Sequence, residues 1–309
     1  MAIIIIQYER ERKRRMIIKT KGILAACGAA SLWAISGVSG QILFNQFHFS
    51  ASWLVSTRLL IAGIVLLLIA FFRNQKQIFQ PFMNQRDLVA LLAFSVLGMF
   101  LVQFTYFKTI ELSNASFATI IQYTGPFFVV LYESLRGKRW PSLITMFLMG
   151  ITLIGVTLIA SHGEGINLFA SIDSLCWGIG SAIALAFYSI QPRNLLRKYG
   201  SFTIVGWGMI LGSIVANLYH PVWRIDGLIN AASFSQLVIV IVFGTAIAYL
   251  IYLSSLKFIS SALASILTAF EPILATILSV FLFHLSFSWI EFIGFACVLG
   301  SILLLQKRV

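Results

Sequence analysis

The chain has 309 residues, 59% of them hydrophobic and only 10% charged, with a formal net charge of +12 and a mean hydropathy of +0.94. Soluble domains carry about 25% charged residues, so the composition excludes a soluble enzyme or binding module and reads as an all-α integral membrane protein. Cys27, Cys176 and Cys297 lie in apolar segments without CxxC spacing, which indicates small buried hydrophobes and neither a disulfide nor a metal site.

Residues 1–21 form a basic prelude, with Arg10, Arg12, Lys13, Arg14, Arg15, Lys19 and Lys21 diluted by Glu9 and Glu11. It reads as a cytoplasmic anchor for the amino terminus in preference to a nucleic-acid arm. Met16-Ile-Ile-Lys-Thr-Lys has the look of an ordinary protein start, so residues 1–15 are expected to be an extension from an upstream start codon. The apolar stretch that follows is too long for a signal-peptide core and lacks an A-x-A site, so it is expected to stay as a helix.

Ten apolar segments of spanning length follow, at about 22–42, 51–72, 88–107, 115–135, 141–160, 173–191, 203–220, 234–256, 260–283 and 287–305. The connections are short and polar, as in Arg136-Gly-Lys-Arg139 and His162-Gly-Glu-Gly165. With both termini inside, 19 of the 22 Lys and Arg residues fall on the inner face, two (Lys108 and Arg224) on the outer, and Arg58 within a span. That asymmetry is what the positive-inside rule requires of ten spans. The net charge is thereby assigned to topology and anionic lipid, with no nucleic-acid partner.

Shifting the chain by 146 lays the third and fourth spans on the eighth and ninth without a gap. Gly98 then meets Gly244, Tyr106 meets Tyr252, Ala118 meets Ala264, Ile120 meets Ile266 and Pro126 meets Pro272. Five spans per half is an odd number, so the second half must enter the membrane inverted, an architecture many secondary transporters share. The expected organisation is a first half at 22–160, an outer linker at 161–172, a second half at 173–305 and a cytoplasmic tail at 306–309.

Pro126 and Pro272 lie near the middle of their spans, where each removes a backbone hydrogen bond and frees the carbonyl four residues back, those of Gln122 and Thr268. Glu271 is 11 residues into the ninth span, roughly 16 Å deep at 1.5 Å per residue. A carboxylate at that depth faces a cavity or a partner. Three readings stay open for it: a proton-coupling group, the counter-charge for a substrate amine, or a structural acid tying two helices.

These residues resemble the EamA-type ten-helix members of the drug/metabolite transporter superfamily. The resemblance rests on Ala264-Ser265, Glu271-Pro272, Ala275 and Leu278 for the ninth helix, and on Gly294–Gly300 for the tenth. Thr57-Arg58-Leu59 supports the second helix and Leu32-Trp33-Ala34 the first. It implies a basket of two five-helix halves around a central cavity lined by helices one, three, four, six, eight and nine. It further implies small solutes, often amino acids or other metabolites, moved outward across a bacterial cytoplasmic membrane. Two places depart from the family pattern. The expected Gly-Glu pairs near the ends of helices four and nine read Gly137-Lys138 and His284-Leu285, and Glu271 has Gly125 as its repeat counterpart.

On helices that the resemblance places at the cavity stand Trp33, Gln103, Tyr106, Gln122, Tyr123, Trp177, Tyr188, Tyr249 and Tyr252. Their rings offer stacking surface and their polar tips orientation; packing within helices or an interfacial belt is the alternative. Arg58 lies seven residues from the outer end of helix two, where outward snorkelling competes with pairing to an acid. Glu133, beside Arg136 and Lys138, reads as an interfacial partner or gate, and Glu291 as interfacial. His48, His162, His220 and His284 fall at outer ends of spans without ligand spacing. Gly208-x3-Gly212 suits close helix packing, within one chain or in a homodimer.

Gly178-Ile-Gly-Ser181 is a poor nucleophile motif, because a triad needs a base at matching depth and no histidine lies midmembrane. There is also no HExxH and no phosphate-binding glycine loop. The sequence thus reads as a non-enzymatic transporter with no cofactor, working on a small-molecule substrate with protons as one candidate coupling ion. The alternative is a scaffold that binds a lipid or a partner protein.

Overall fold

The computed structural model describes residues 2–74, 78–112, 118, 121–138, 140–160, 172–283 and 288–305, which fold as helices joined by short turns. The linker at 161–171, His162, residues 115–117 of the fourth span, His284-Leu285 and the tail at 306–309 lie outside these residues, as does the side chain of Glu291. The helices are α1 (Ala2–Phe47), α2 (Ala51–Asn74), α3 (Gln80–Met83), α4 (Gln85–Ala93), α5 (Leu101–Leu112), α6 (Gly125–Arg136), α7 (Leu143–Ala160) and α8 (Ile172–Ile190). They continue as α9 (Arg193–Tyr199), α10 (Ser201–Tyr219), α11 (Ala231–Val238), α12 (Ala248–Ser255), α13 (Ser261–Leu267), α14 (Phe270–Phe283) and α15 (Trp289–Leu305).

Among the described residues six helical runs are long and apolar enough to cross a membrane: Ile17–Phe47, Ala51–Arg73, Gln85–Thr109, Ile172–Tyr199, Ser201–Tyr219 and Ala231–Ser255. Leu143–Leu158, Ser261–Ala275 and Phe292–Leu305 are shorter apolar helices. Two of the long runs carry an inserted π-helical stretch, Phe94–Phe100 between α4 and α5 and Ile239–Ile247 between α11 and α12. The wider turn is visible in Thr245 Oγ1, which donates to the carbonyl of Val240 five residues back at 2.8 Å. Such stretches are rare and often mark functional sites. The sequence periodicity gave no hint of either.

Glycines set how closely the helices approach. A Cβ on Gly63 of α2 would lie 2.8 Å from the Ile210 side chain of α10, and one on Gly206 would lie 2.8 Å from Leu67 of α2. A Cβ on Gly155 of α7 would meet the Gly294 carbonyl of α15 at 2.7 Å. Small residues let backbones close in this way where lipid supplies no hydrophobic driving force between helices. The Gly208–Gly212 face is covered within the chain, because Cβ atoms there would lie 2.6 Å from Phe94 and 2.9 Å from the Ser95 carbonyl. The principal pairings are α2 with α10, α7 with α15, α5 with α8, and α1 with α12.

Polar ties hold both ends of the bundle. At one end Glu133 Oε1 accepts Arg193 Nη1 at 3.1 Å and the backbone N–H of Ser261 at 3.1 Å. There Asp87 also accepts from Lys198 and Tyr199, and Gln191 Nε2 donates to the Ala90 carbonyl at 2.7 Å. At the other end the Ser50 N–H donates to Asp226 Oδ1 at 3.1 Å, Trp53 Nε1 to the Val222 carbonyl at 2.9 Å, and the Leu228 N–H to the Phe47 carbonyl at 2.9 Å. Each tie joins a residue before 161 to one after 172.

Candidate functional site: two helix breaks and an aromatic centre

The helix of the ninth span stops at Leu267 and restarts at Phe270. Pro272 has no N–H for the Thr268 carbonyl, so the chain takes a tighter turn. The Glu271 N–H reaches that carbonyl at 2.9 Å and the Ala269 N–H reaches Ile266 at 3.1 Å. Thr268 Oγ1 closes the turn on Ser265 at 2.7 Å. The Thr268 carbonyl has a second lone pair, and the Tyr123 hydroxyl donates to it at 2.9 Å. The same hydroxyl lies 3.2 Å from Glu271 Oε2.

Tyr123 comes from the other break. There the Thr124 N–H and Oγ1 both donate to the Ile121 carbonyl, at 3.0 and 2.6 Å, and α6 starts at Gly125 with Pro126 in its first turn. A proline is tolerated at that position because the first N–H groups of a helix have no partner inside it. A phenol carries one proton. Tyr123 therefore cannot donate fully to the Thr268 carbonyl and to an ionised Glu271 together. A protonated Glu271 donates to Tyr123 instead and removes the competition.

A second group gathers four of the predicted aromatics. The Trp33 ring lies 5.2 Å from Tyr249 and 5.3 Å from Tyr252, and Tyr188 lies 5.7 Å from Tyr249 while stacking on Tyr252 at 5.6 Å. Tyr249 and Tyr252 are three apart on α12 and so share a face. Tyr252 Oη shares a hydrogen bond of 2.8 Å with Ser189 Oγ. Arg58 Nη2 donates to Tyr249 Oη at 3.3 Å, and the guanidinium sits 6.0 Å from the Phe107 ring centroid. Arg58 thus turns toward α5 and α12. Buried atoms without a hydrogen-bond partner cluster here: Trp33 Nε1, Tyr188 Oη and Arg58 Nε.

The other predicted residues are dispersed. Gln122 Nε2 donates to Ser181 Oγ at 2.7 Å, linking the first break to α8. Gln103 donates to the Met99 carbonyl of its own helix at 2.9 Å, and its Oε1 is buried without a partner. Tyr106 packs on Phe107 at 5.6 Å. Trp177 sits apart, edge-on to Phe104 at 5.9 Å in a group completed by Tyr219. The partner of Glu133 is Arg193, 60 residues away, where the sequence pointed to its neighbours Arg136 and Lys138. Sequence reasoning weighed Ser181 only as a nucleophile and passed over Ser189; both become meaningful through their partners on other helices. Among the described residues no three His, Cys, Asp or Glu side chains converge as a metal site would need.

The EamA-like transporter family model matches residues 20–161 and again 173–306. The chain is 35% identical over 289 residues to a protein of Salmonella typhimurium strain LT2 described as the uncharacterized inner membrane transporter YicL, covering 93% of this chain and 95% of that one. It is 24% identical to the uncharacterized transporter YetK of Bacillus subtilis strain 168, over 94% of this chain and 89% of that one. One solved crystal structure shares the fold with a TM-score of 0.77 at 18% identity, covering 94% of this chain and 98% of that one. Repeated apolar helices and bacterial relatives of this kind make the chain a multi-pass protein of the cell membrane. With the family model matched across both parts of its length, the chain belongs to the EamA-like transporter family.

Proposed function

We propose that this protein is a secondary transporter that carries small organic solutes, amino-acid-like metabolites among them, by alternating access of two inverted halves. The halves are residues 22–160 and 173–305, ten spans in all, with both termini in the cytoplasm by the distribution of basic residues. The single observation that carries the reading is the Tyr123 hydroxyl, which joins one broken helix to the other at the Thr268 carbonyl and Glu271. Paired interrupted helices at midmembrane are where transporters of this design hold substrate and coupling ion.

Several further features support inverted halves. The π-helical stretches begin 145 residues apart, and both breaks follow them at similar distances along the chain. A Cβ on Gly98 would lie 3.5 Å from the Tyr188 backbone of α8, while one on Gly244, its counterpart, would collide with Ser36 of α1. The pairing of α5 with α8 and of α1 with α12 exchanges under the same operation.

In this reading Glu271 is the proton-coupling group. Protonated, it donates to Tyr123 and leaves the Thr268 carbonyl its bond; ionised, it competes for the one phenolic proton and loosens the link between the breaks. The Glu133–Arg193–Ser261 tie closes the cytoplasmic end, and the Ser50–Asp226 and Trp53–Val222 ties close the outer end. The outward direction of net transport rests on the family resemblance. No catalytic role enters the reading.

Proteoliposome flux of amino acids and related metabolites, measured with and without an imposed pH gradient, tests it. The expected result is gradient-driven flux of at least one solute, lost in Glu271→Gln while Glu271→Asp retains part of it. Flux that ignores the gradient in the wild type and survives in Glu271→Gln removes the coupling role. A panel in which nothing moves, with a lipid or partner bound instead, replaces the transporter by a scaffold.

A further inference from the structure

We infer that Arg58 is the docking residue for an anionic group, a carboxylate or phosphate, on the transported solute. The inference rests on the transporter reading and adds a substrate class to it. Arginine in the hydrocarbon region is costly and is normally paired. Among the described residues no carboxylate lies within ion-pair distance of Arg58. Its contacts are one bond of 3.3 Å to a neutral phenol, Tyr249, and the face of Phe107. Neither neutralises a full charge. Its Nε–H is buried with no acceptor at all.

The unmet donors around it share one neighbour. Tyr249 carries Arg58 on its hydroxyl, the Trp33 ring at 5.2 Å and the Tyr188 ring at 5.7 Å. Trp33 Nε1 and Tyr188 Oη are the other buried atoms left without partners there. An indole N–H and a guanidinium Nε–H can only donate, and a phenol can donate as well. Three unsatisfied groups able to donate, one of them on a cation, with rings beside them, form a receptor short of an acceptor. Each donor left buried and unpaired costs about 1–3 kcal/mol. A planar anion, bound side-on to the Nε and Nη2 edge of the guanidinium, supplies the missing acceptors. Water could serve Trp33 and Tyr188, but it cannot balance the charge.

The test is equilibrium binding to the purified full-length protein of carboxylates and their primary amides, which differ in charge at nearly constant shape. The pairs are benzoate and benzamide, 3-phenylpropanoate and 3-phenylpropanamide, and butyrate and butyramide. The wild type is expected to favour at least one carboxylate over its amide by roughly 10-fold to 100-fold, the range for a hydrogen bond to a charged group. Arg58→Gln should bring that ratio close to one, and Arg58→Lys should keep part of it. A second readout needs no variant: the favoured carboxylate should slow phenylglyoxal modification of Arg58, followed on its peptide by mass spectrometry, and its amide should not. Ratios near one in the wild type, or a ratio that survives Arg58→Gln, overturn the inference, as does unslowed modification. Because binding is read apart from flux, solutes that move in the proteoliposome assay while every anionic probe fails here sink the anion site and leave the transporter standing.

Discussion

The two broken helices make the same turn with different residues at its critical place. In the fourth span Thr124, two residues before Pro126, closes the turn on Ile121, and in the ninth Thr268, four residues before Pro272, closes it on Ser265, each through a hydroxyl. The repeat counterpart of Glu271, however, is Gly125. The neighbours give the reason: a Cβ on Gly125 would lie 2.9 Å from the Leu185 side chain and 3.2 Å from the Ala182 carbonyl of α8. Helix α8 presses on the first break and leaves no room for a side chain. Glu271 is partly exposed and holds a hydrogen bond to Tyr123. The proline belongs to the architecture of both halves. The acid stands where a neighbouring helix leaves space for it.

Making the two sites alike is the strongest way to break the comparison. Gly125→Glu should destabilise the protein by about 3 kcal/mol or more, since it overpacks α8 and buries a charge without a partner. Thermal unfolding in detergent and the monodisperse yield would show it, and a variant as stable as the parent would remove the packing explanation. Tyr123→Phe comes next. It deletes the link between the breaks and leaves the Thr268 carbonyl with one fewer donor, for a loss of roughly 1–2 kcal/mol. Pairing it with Glu271→Gln in a double-mutant cycle should give a coupling energy of about 0.5–3 kcal/mol; strict additivity would mean the hydroxyl and the acid do not act together. The smallest effect sharpens the comparison. Thr124→Val and Thr268→Val should each cost about 0.5–1.5 kcal/mol, by nearly the same amount, because each removes one turn bond of the same kind.

Much of the frame was legible in the sequence. Apolar length placed the six long runs of the described residues, the prolines marked both breaks, and proline chemistry identified Thr268 as the residue whose carbonyl would need another donor. The donor itself, Tyr123, is in the sequence only one aromatic among several. Nothing local distinguishes it from Trp177, which packs elsewhere, because the difference lies in which helix each faces. Arg58 illustrates the same limit. Its place in the second helix was readable, but the direction of a long side chain depends on the Tyr249 hydroxyl on another helix. The π-helical stretches left no periodic signature, although Gly98 and Gly244 sit inside them and Gly244 marks the close approach of α1.

The central claim is that the two ends of the bundle open in alternation about these breaks. It is tested most directly by spin-label distances in the full-length protein reconstituted in bilayers. One pair of labels goes at Leu135 and Arg197, near the Glu133–Arg193 tie, and the other at Leu112 and Trp223, at the opposite end; all four positions are exposed. Arg193→Ala, which removes that tie, should lengthen the Leu135–Arg197 distance and shorten the Leu112–Trp223 distance in the same sample. Distances that stay fixed at both ends, or that lengthen together, would contradict alternating access.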